Sequence, residues 1–259
     1  MWMTTQTGVT TDFTDLWGFA TDKLWATGSA GLDLRWLGGA WYTGNESSVV
    51  DGTALFAFSP TELWKTEDLP VSRWSGSSWN DVGSNTPYRT YDLWGNSTAD
   101  VWVASDVGIR HYDGTSWSGG SPGTTSALKA VWGSGPFDVW AVGRAGAIVH
   151  RVTSWAAVTS PTASDLNGLW GSSASDIWAV GAGGTLIHYD GTSWSAVASG
   201  TTNTLTAIHG AAANDVWAVG LNGTRLHYNG TSWSAFNGAA TDQYRAVWVF
   251  GPFDVWVAG

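Results

Sequence analysis

Gly168-Leu169-Trp170-Gly171, Asp176-Ile177-Trp178-Ala179-Val180-Gly181, Gly184-Thr185-Leu186-Ile187-His188-Tyr189-Asp190-Gly191 and Ser193-Trp194-Ser195-Ala196-Val197 succeed one another in the stretch 168–197. Each is a short run rich in β-branched and aromatic residues, bounded by Gly, Asp or Ser, which predicts four strands joined by tight turns. Asp190-Gly191, between the third and fourth runs, predicts a two-residue type I′ hairpin, whose central residues both need positive φ. Asp113-Gly114 and Asn229-Gly230 repeat it, and Gly38-Gly39 and Ser75-Gly76 stand in for it. Val152-Thr153 has one residue fewer and predicts an irregular hairpin. Glycine pairs such as Gly143 with Gly146 and Gly220 with Gly223 join the second and third runs.

The same unit extends in both directions. Trp178 belongs to a series Trp25, Trp64, Trp102, Trp140, Trp178, Trp217 and Trp256, spaced by 38 or 39 residues. Eight positions before each lies a first-strand residue: Trp17, Phe56, Trp94, Trp132, Trp170, His209 and Trp248. Fourth strands carry Trp41, Trp79, Trp117, Trp155, Trp194 and Trp233. A four-stranded antiparallel unit of about 39 residues, repeated seven times, predicts an all-β, seven-bladed β-propeller in one domain spanning 1–259. Large aromatics then fill the space between facing sheets.

The ends divide one unit between them. Trp2 lies 15 residues before Trp17, the fourth-strand offset, so Met1 to Thr5 reads as a fourth strand. Arg245 to Trp248 and Asp254 to Gly259 read as a first and a second strand. The termini are expected to share blade seven and close the ring, which leaves fewer free sheet edges. Nothing corresponds to that blade's third strand: seven full repeats need about 273 residues by this period, and the chain has 259. The slot predicts self-association through the incomplete blade.

Composition narrows the function. No cysteine is present, so thiolate metal sites and disulfides are excluded. Eleven basic against 21 acidic residues, a net charge of −10, argue against nucleic acid and anionic membranes. No apolar run is long enough to span a bilayer, and Met-Trp-Met-Thr-Thr does not read as a signal peptide. Charged residues are only 12% of the chain. The resulting hydroxyl-rich surface favours an extracellular or cell-surface location.

Glu62, Asp100, Asp138, Asp176, Asp215 and Asp254 precede the second-strand tryptophans. One acid per repeat at one height suits a turn or strand-start hydrogen bond better than a paired-carboxylate enzyme. His111, His150, His188 and His227 share one third-strand position, where the first two repeats carry Arg35 and Arg73. Residues related by blade symmetry form a wide ring and do not converge on a metal. Hydrogen bonding between blades is one role for them; a repeated ligand contact is the other. The aromatics beside them are Trp36, Trp74, Tyr112, Tyr189 and Tyr228. Basic and aromatic neighbours could hold a sugar, with the ring stacking on its apolar face, or the aromatics could pack the blades. The candidate ligand-binding set is therefore Arg35, Trp36, Arg73, Trp74, His111, Tyr112, His188, Tyr189, His227 and Tyr228. No nucleophile elbow or phosphate loop is present, and no cofactor or metal is expected.

Asp190-Gly191-Thr192-Ser193-Trp194 resembles the turn of Asp-box (BNR-type) propeller repeats, with one residue fewer between Asp and Gly. Trp178-Ala179-Val180-Gly181 is similar to the second strand of photosystem II assembly-factor propellers. The overall texture is similar to Trp-rich repeat proteins of myxobacteria. The resemblance implies a propeller in which Asp113 and Asp190 are structural. Sialidases also carry Asp boxes, but their arginine cluster has no counterpart among the scattered arginines here. The expected function is a non-catalytic, multivalent lectin-like propeller with glycans as ligands. The alternative is a protein-interaction or assembly scaffold with a protein partner, and a glycoside hydrolase stands last.

Overall fold

The computed structural model describes residues 7–43, 51–67, 71–83, 88–120, 122–236 and 238–259. Stretch 168–197 forms the strands Leu166–Ser173, Asp176–Gly181, Leu186–Tyr189 and Trp194–Ala196, hydrogen-bonded in that order. Its antiparallel register places Trp170 opposite Trp178, Trp178 opposite His188 and Tyr189 opposite Trp194. The same order recurs in six four-stranded sheets, numbered here one to six along the chain.

The seven-bladed ring of four-stranded blades is not what forms. After the six sheets comes a two-stranded sheet, Ala246–Gly251 with Asp254–Ala258. Among the described residues these two strands are all that this sheet contains. Met1 to Thr5, the expected closing strand, lies outside the described residues. The first strands of all seven sheets nevertheless stand side by side, and the two-stranded sheet packs between sheet six and sheet one. Trp17 of sheet one lies 4.6 Å from Trp248 of the two-stranded sheet, centroid to centroid.

The core lies between neighbouring sheets. Trp64 and Trp140 of the second strands are 0% and 2% exposed. Trp25, Trp64, Trp102, Trp140 and Trp178 each receive an aromatic from the following sheet. Trp140 meets Tyr189 at 4.8 Å and Trp194 at 5.7 Å, and Trp178 meets Tyr228 at 5.0 Å and Trp233 at 5.2 Å. Burying rings of this size is worth several kcal/mol each, so sheet-to-sheet adhesion resides in these tryptophans. The glycine closing Trp178-Ala179-Val180-Gly181 has a steric cause: a Cβ on Gly181 would run into the Asp165 carbonyl.

The hairpins between third and fourth strands differ from a type I′ turn. Four residues, Asp190 to Ser193, separate the paired Tyr189 and Trp194, and Gly191 alone among them has positive φ. The Asp190 carboxylate accepts the backbone N–H groups of Thr192 (2.8 Å) and Ser193 (2.9 Å). Asp113 and Asn229 make the same pair of bonds. These donors, Ser193 first and then Thr192, hold the Asp190 carboxyl below its usual range. The hairpin with Val152-Thr153 has a three-residue loop between Arg151 and Trp155.

Candidate functional site: the axial channel

The repeated acid and basic residues pair inside the blade in sheets two to six. Nε2 of His111, His150, His188 and His227 meets Asp100, Asp138, Asp176 and Asp215 at 2.6–2.8 Å, from third strand to second. In sheet two Arg73 Nη2 donates to Glu62 Oε2 at 2.9 Å. The imidazoles also stack on the second-strand indoles opposite them, with centroids 3.8–4.4 Å apart. Arg35 lies over Trp25 (4.2 Å) and Trp74 (4.4 Å), between two sheets. The bonds to the histidines thus lie within blades rather than between them.

The neighbouring aromatics serve the seams. Tyr112 packs on Trp64, Tyr189 on Trp140, Tyr228 on Trp178, Trp74 on Trp25 and Trp36 on Trp256. The ten candidate residues are therefore placed around the ring, with Arg35 and Trp74 meeting across the seam of sheets one and two. Among the described residues, no group of three or more His, Cys, Asp or Glu is positioned to hold a metal ion.

The polar groups that do gather are on the first strands. These line a channel of about 330 Å³ along the axis. At the second position of successive first strands stand Thr14, Thr53, Tyr91, Lys129, Asn167, Thr206 and, ahead of the last strand, Arg245. Several tie one sheet to the next. Thr14 Oγ1 donates to the Gly52 carbonyl at 2.6 Å, and Thr206 Oγ1 to that of Tyr244 at 2.7 Å. Asn167 Nδ2 donates to the Leu205 carbonyl at 2.9 Å, while its Oδ1 accepts from Lys129 Nζ at 3.0 Å. Lys129 also meets Asp165 at 3.1 Å, Tyr91 donates to Asp106 at 2.7 Å, and Arg245 stands 3.8 Å from Asp12.

One residue further along, the ring reads Asp15, Ala54, Asp92, Ala130, Gly168, Ala207 and Ala246. The two carboxyls line the channel and are half-buried between the surrounding strands. Asp15 accepts the N–H of Leu16 (2.8 Å) and, across the seam, of Leu55 (2.7 Å). Asp92 does the same with Leu93 (2.8 Å) and Val131 (2.9 Å). Burial nevertheless pushes the Asp15 carboxyl up to about 7 and that of Asp92 up to about 8; Asp15 adds to the rise at Asp92. His209, at the next-but-one position, accepts the Val249 N–H on Nδ1 at 3.1 Å, and burial takes its imidazole down to about 3. It is thus a neutral ring with its acceptor committed to the adjacent sheet.

Asp15 and Asp92 stand outside the recurring pattern of the repeats. Their signal is that departure: an acid two residues before Trp17 and Trp94, where the other repeats carry Ala or Gly.

No protein-family model and no curated protein matches the sequence. Solved structures do match in fold. YCF48 bound to D1 peptide is 16% identical with a TM-score of 0.75, over 98% of this chain and 92% of that one. YCF48 from Cyanidioschyzon merolae is 16% identical with a TM-score of 0.74, over 96% and 92%. The extracellular domain of a hybrid two-component system from B. thetaiotaomicron is 10% identical with a TM-score of 0.77, over 96% of this chain and 37% of that one. The chain shares the β-propeller fold of these proteins.

Proposed function

We propose that the chain is a non-catalytic protein-interaction propeller that holds a segment of a partner polypeptide at the channel mouth. The observation that carries this reading is where the repetition breaks. Around the ring the polar residues are copies of one another, spent on in-blade pairs. At the mouth the set is asymmetric: Thr14 and Thr53 are followed by Tyr91, Lys129 and Asn167, and Thr206 by Arg245, with different shapes and charges. Recognition of one particular partner needs such an asymmetric set, because specificity is a difference between partners that copies of one site do not supply. Among the fold relatives, a YCF48 bound to D1 peptide supports a peptide as ligand here.

A protein partner is favoured over glycans. The histidine faces that would meet a sugar are stacked on tryptophans, and Tyr112, Tyr189 and Tyr228 pack the seams. Photo-crosslinkers placed at Tyr91 and Arg245, with His188 as the control position, test the reading. Capture of one defined partner segment from the mouth positions and none from His188 is the expected result. Silent mouth positions together with saturable binding on a glycan array would overturn it.

A further inference from the structure

Three hairpins between third and fourth strands share one geometry and differ in one chemical group. In Asp113-Gly114, Asp190-Gly191 and Asn229-Gly230 a side-chain oxygen accepts the backbone N–H groups two and three residues on. The first two turns use a carboxylate and the third an amide. Asn229 Oδ1 takes the N–H groups of Thr231 and Ser232, both at 3.0 Å. Asn229 and Gly230 are both exposed, and Asn229 Nδ2 and the Gly230 N–H bond to nothing among the described residues. The glycine is fixed by the fold: its φ is +90°, and an added Cβ would come within 2.7 Å of Asn214 Cβ.

An asparagine amide is open to attack by the next backbone nitrogen when glycine follows, because no side chain shields the approach. In this turn the two N–H groups aimed at Oδ1 assist it. Negative charge develops on that oxygen as nitrogen adds to Cγ, and preorganised backbone donors stabilise such an oxyanion. The other Asn-Gly pairs lack this arrangement. Asn167 has both ends of its amide committed, to Lys129 and the Leu205 carbonyl, and Gly168 is buried in a strand. Asn222 Nδ2 donates to Asn203 at 3.1 Å, and the Gly223 N–H donates to the Asp242 carbonyl at 2.8 Å. Asn237, before Gly238, lies outside the described residues.

We propose that Asn229 is a self-modification site, which the Gly230 nitrogen and water convert to aspartate. The Gly230 nitrogen gives its proton to solvent and bonds to Cγ; the Cγ–Nδ2 bond breaks, and Nδ2 leaves as ammonia with a solvent proton. Water then adds at Cγ, which the N–H pair still polarises, and the imide opens with the Gly230 nitrogen regaining its proton. The net change is amide plus water to carboxylate plus ammonium. In the sibling turns the same donors, Ser116 then Thr115 at Asp113 and Ser193 then Thr192 at Asp190, hold the carboxyl below its ordinary range. An ionised carboxylate resists nucleophilic attack, so the product does not cyclise again. Its two N–H bonds become charge-assisted, and sheet six acquires the turn of sheets three and five.

The whole chain, held in mildly alkaline buffer and sampled over days, tests this. Peptide mapping with electron-transfer fragmentation separates asparagine, aspartate and isoaspartate at each position. Position 229 should convert on the order of tenfold faster than 222 and 167, with aspartate as the main product. Asn229→Asp should also unfold at a higher urea concentration than the freshly purified protein. An intact amide at 229, equal conversion at 222 or 167, or isoaspartate as the main product would overturn the proposal. So would an Asn229→Asp midpoint at or below the parent's, because the turn would then not favour its product.

Discussion

The indole of Trp132 lies over the bare backbone of Gly171 on the neighbouring first strand, where an added Cβ would come within 2.6 Å of the ring's Cη2. The relationship repeats. Trp94 covers Gly133 at 2.7 Å and Trp170 covers Gly210 at 2.6 Å. Trp248 of the two-stranded sheet covers Gly18 of sheet one at 2.5 Å, so the seam between last and first sheets uses the same contact. The recurrent Trp-Gly dipeptide thus has a geometric cause: Gly133 and Gly171 make room for the preceding sheet's tryptophan, Gly18 for Trp248 with Phe250, and Gly95 for Phe58. Gly171→Ala should cost about 1–3 kcal/mol, because a rigid ring in a packed seam has nowhere to move. Gly135→Ala, with nothing within 4 Å of the added methyl, should be near neutral. Urea unfolding of both variants checks the contrast, and equal stabilities would refute the packing account.

Trp140 is surrounded by His150, Tyr189 and Trp194 and is 2% exposed. Trp140→Ala should lose about 3–5 kcal/mol, the range for deleting a buried large aromatic. A loss under about 1 kcal/mol in equilibrium unfolding would mean that the seam collapses to fill the space.

Lys65 joins sheet two to sheet one by a buried triad, 2.9 Å from Asp33 and 2.8 Å from Glu67. Burial opposes its charge, but Asp33 and then Glu67 outweigh that and hold the ammonium above its ordinary value. Lys65→Met leaves two carboxylates buried without a cation and should cost about 3–5 kcal/mol. Adding Asp33→Asn and Glu67→Gln to Lys65→Met should restore part of the loss. A triple variant as unstable as the single one, by chemical denaturation, would show that packing of the lysine stem dominates.

Stability should fall on both sides of an optimum in pH. The folded protein keeps protons on Asp15 and Asp92 up to about 7 and about 8, whereas the unfolded chain releases them near 3.8. The folded state therefore binds more protons in that window. The contribution is complete below the unfolded value and is lost as pH rises through the folded ones. His209 acts in the opposite sense: its folded value is about 3 against an ordinary 6.5, so the unfolded chain takes the proton first as pH falls through that window. Asp92→Asn should lose less stability than the parent between about pH 5 and about pH 9. Identical losses in unfolding titrations would place the Asp92 proton elsewhere.

The legible part of this molecule was its repeated part. Trp178 predicted Trp140 and Trp217 because a period of 38 or 39 residues survives in the chain itself. The order of four strands follows from alternating aromatic and β-branched runs between glycines. The two-residue turn was misjudged because Asp190 captures two N–H groups with its side chain, which spares it a positive φ. Linear spacing leaves a bond between blades and a ligand contact both open for His188, because it does not distinguish strand partners in one sheet from neighbours in the next. Register decides it, by setting Trp178 opposite His188.

By itself the sequence determined the all-β propeller class, the strand order within each repeat and the recurrence of the tryptophan core. These are local properties, written in spacing and side-chain period. Tertiary structure decided that the first strands of all seven sheets stand side by side around one axis. It also decided that Asp15, Asp92 and His209 become channel-lining staples. They lie far apart along the chain and share an environment only once seven first strands stand around one axis. The long-range approach of those strands, not their own residues, partly buries the carboxyls and so raises their pKa.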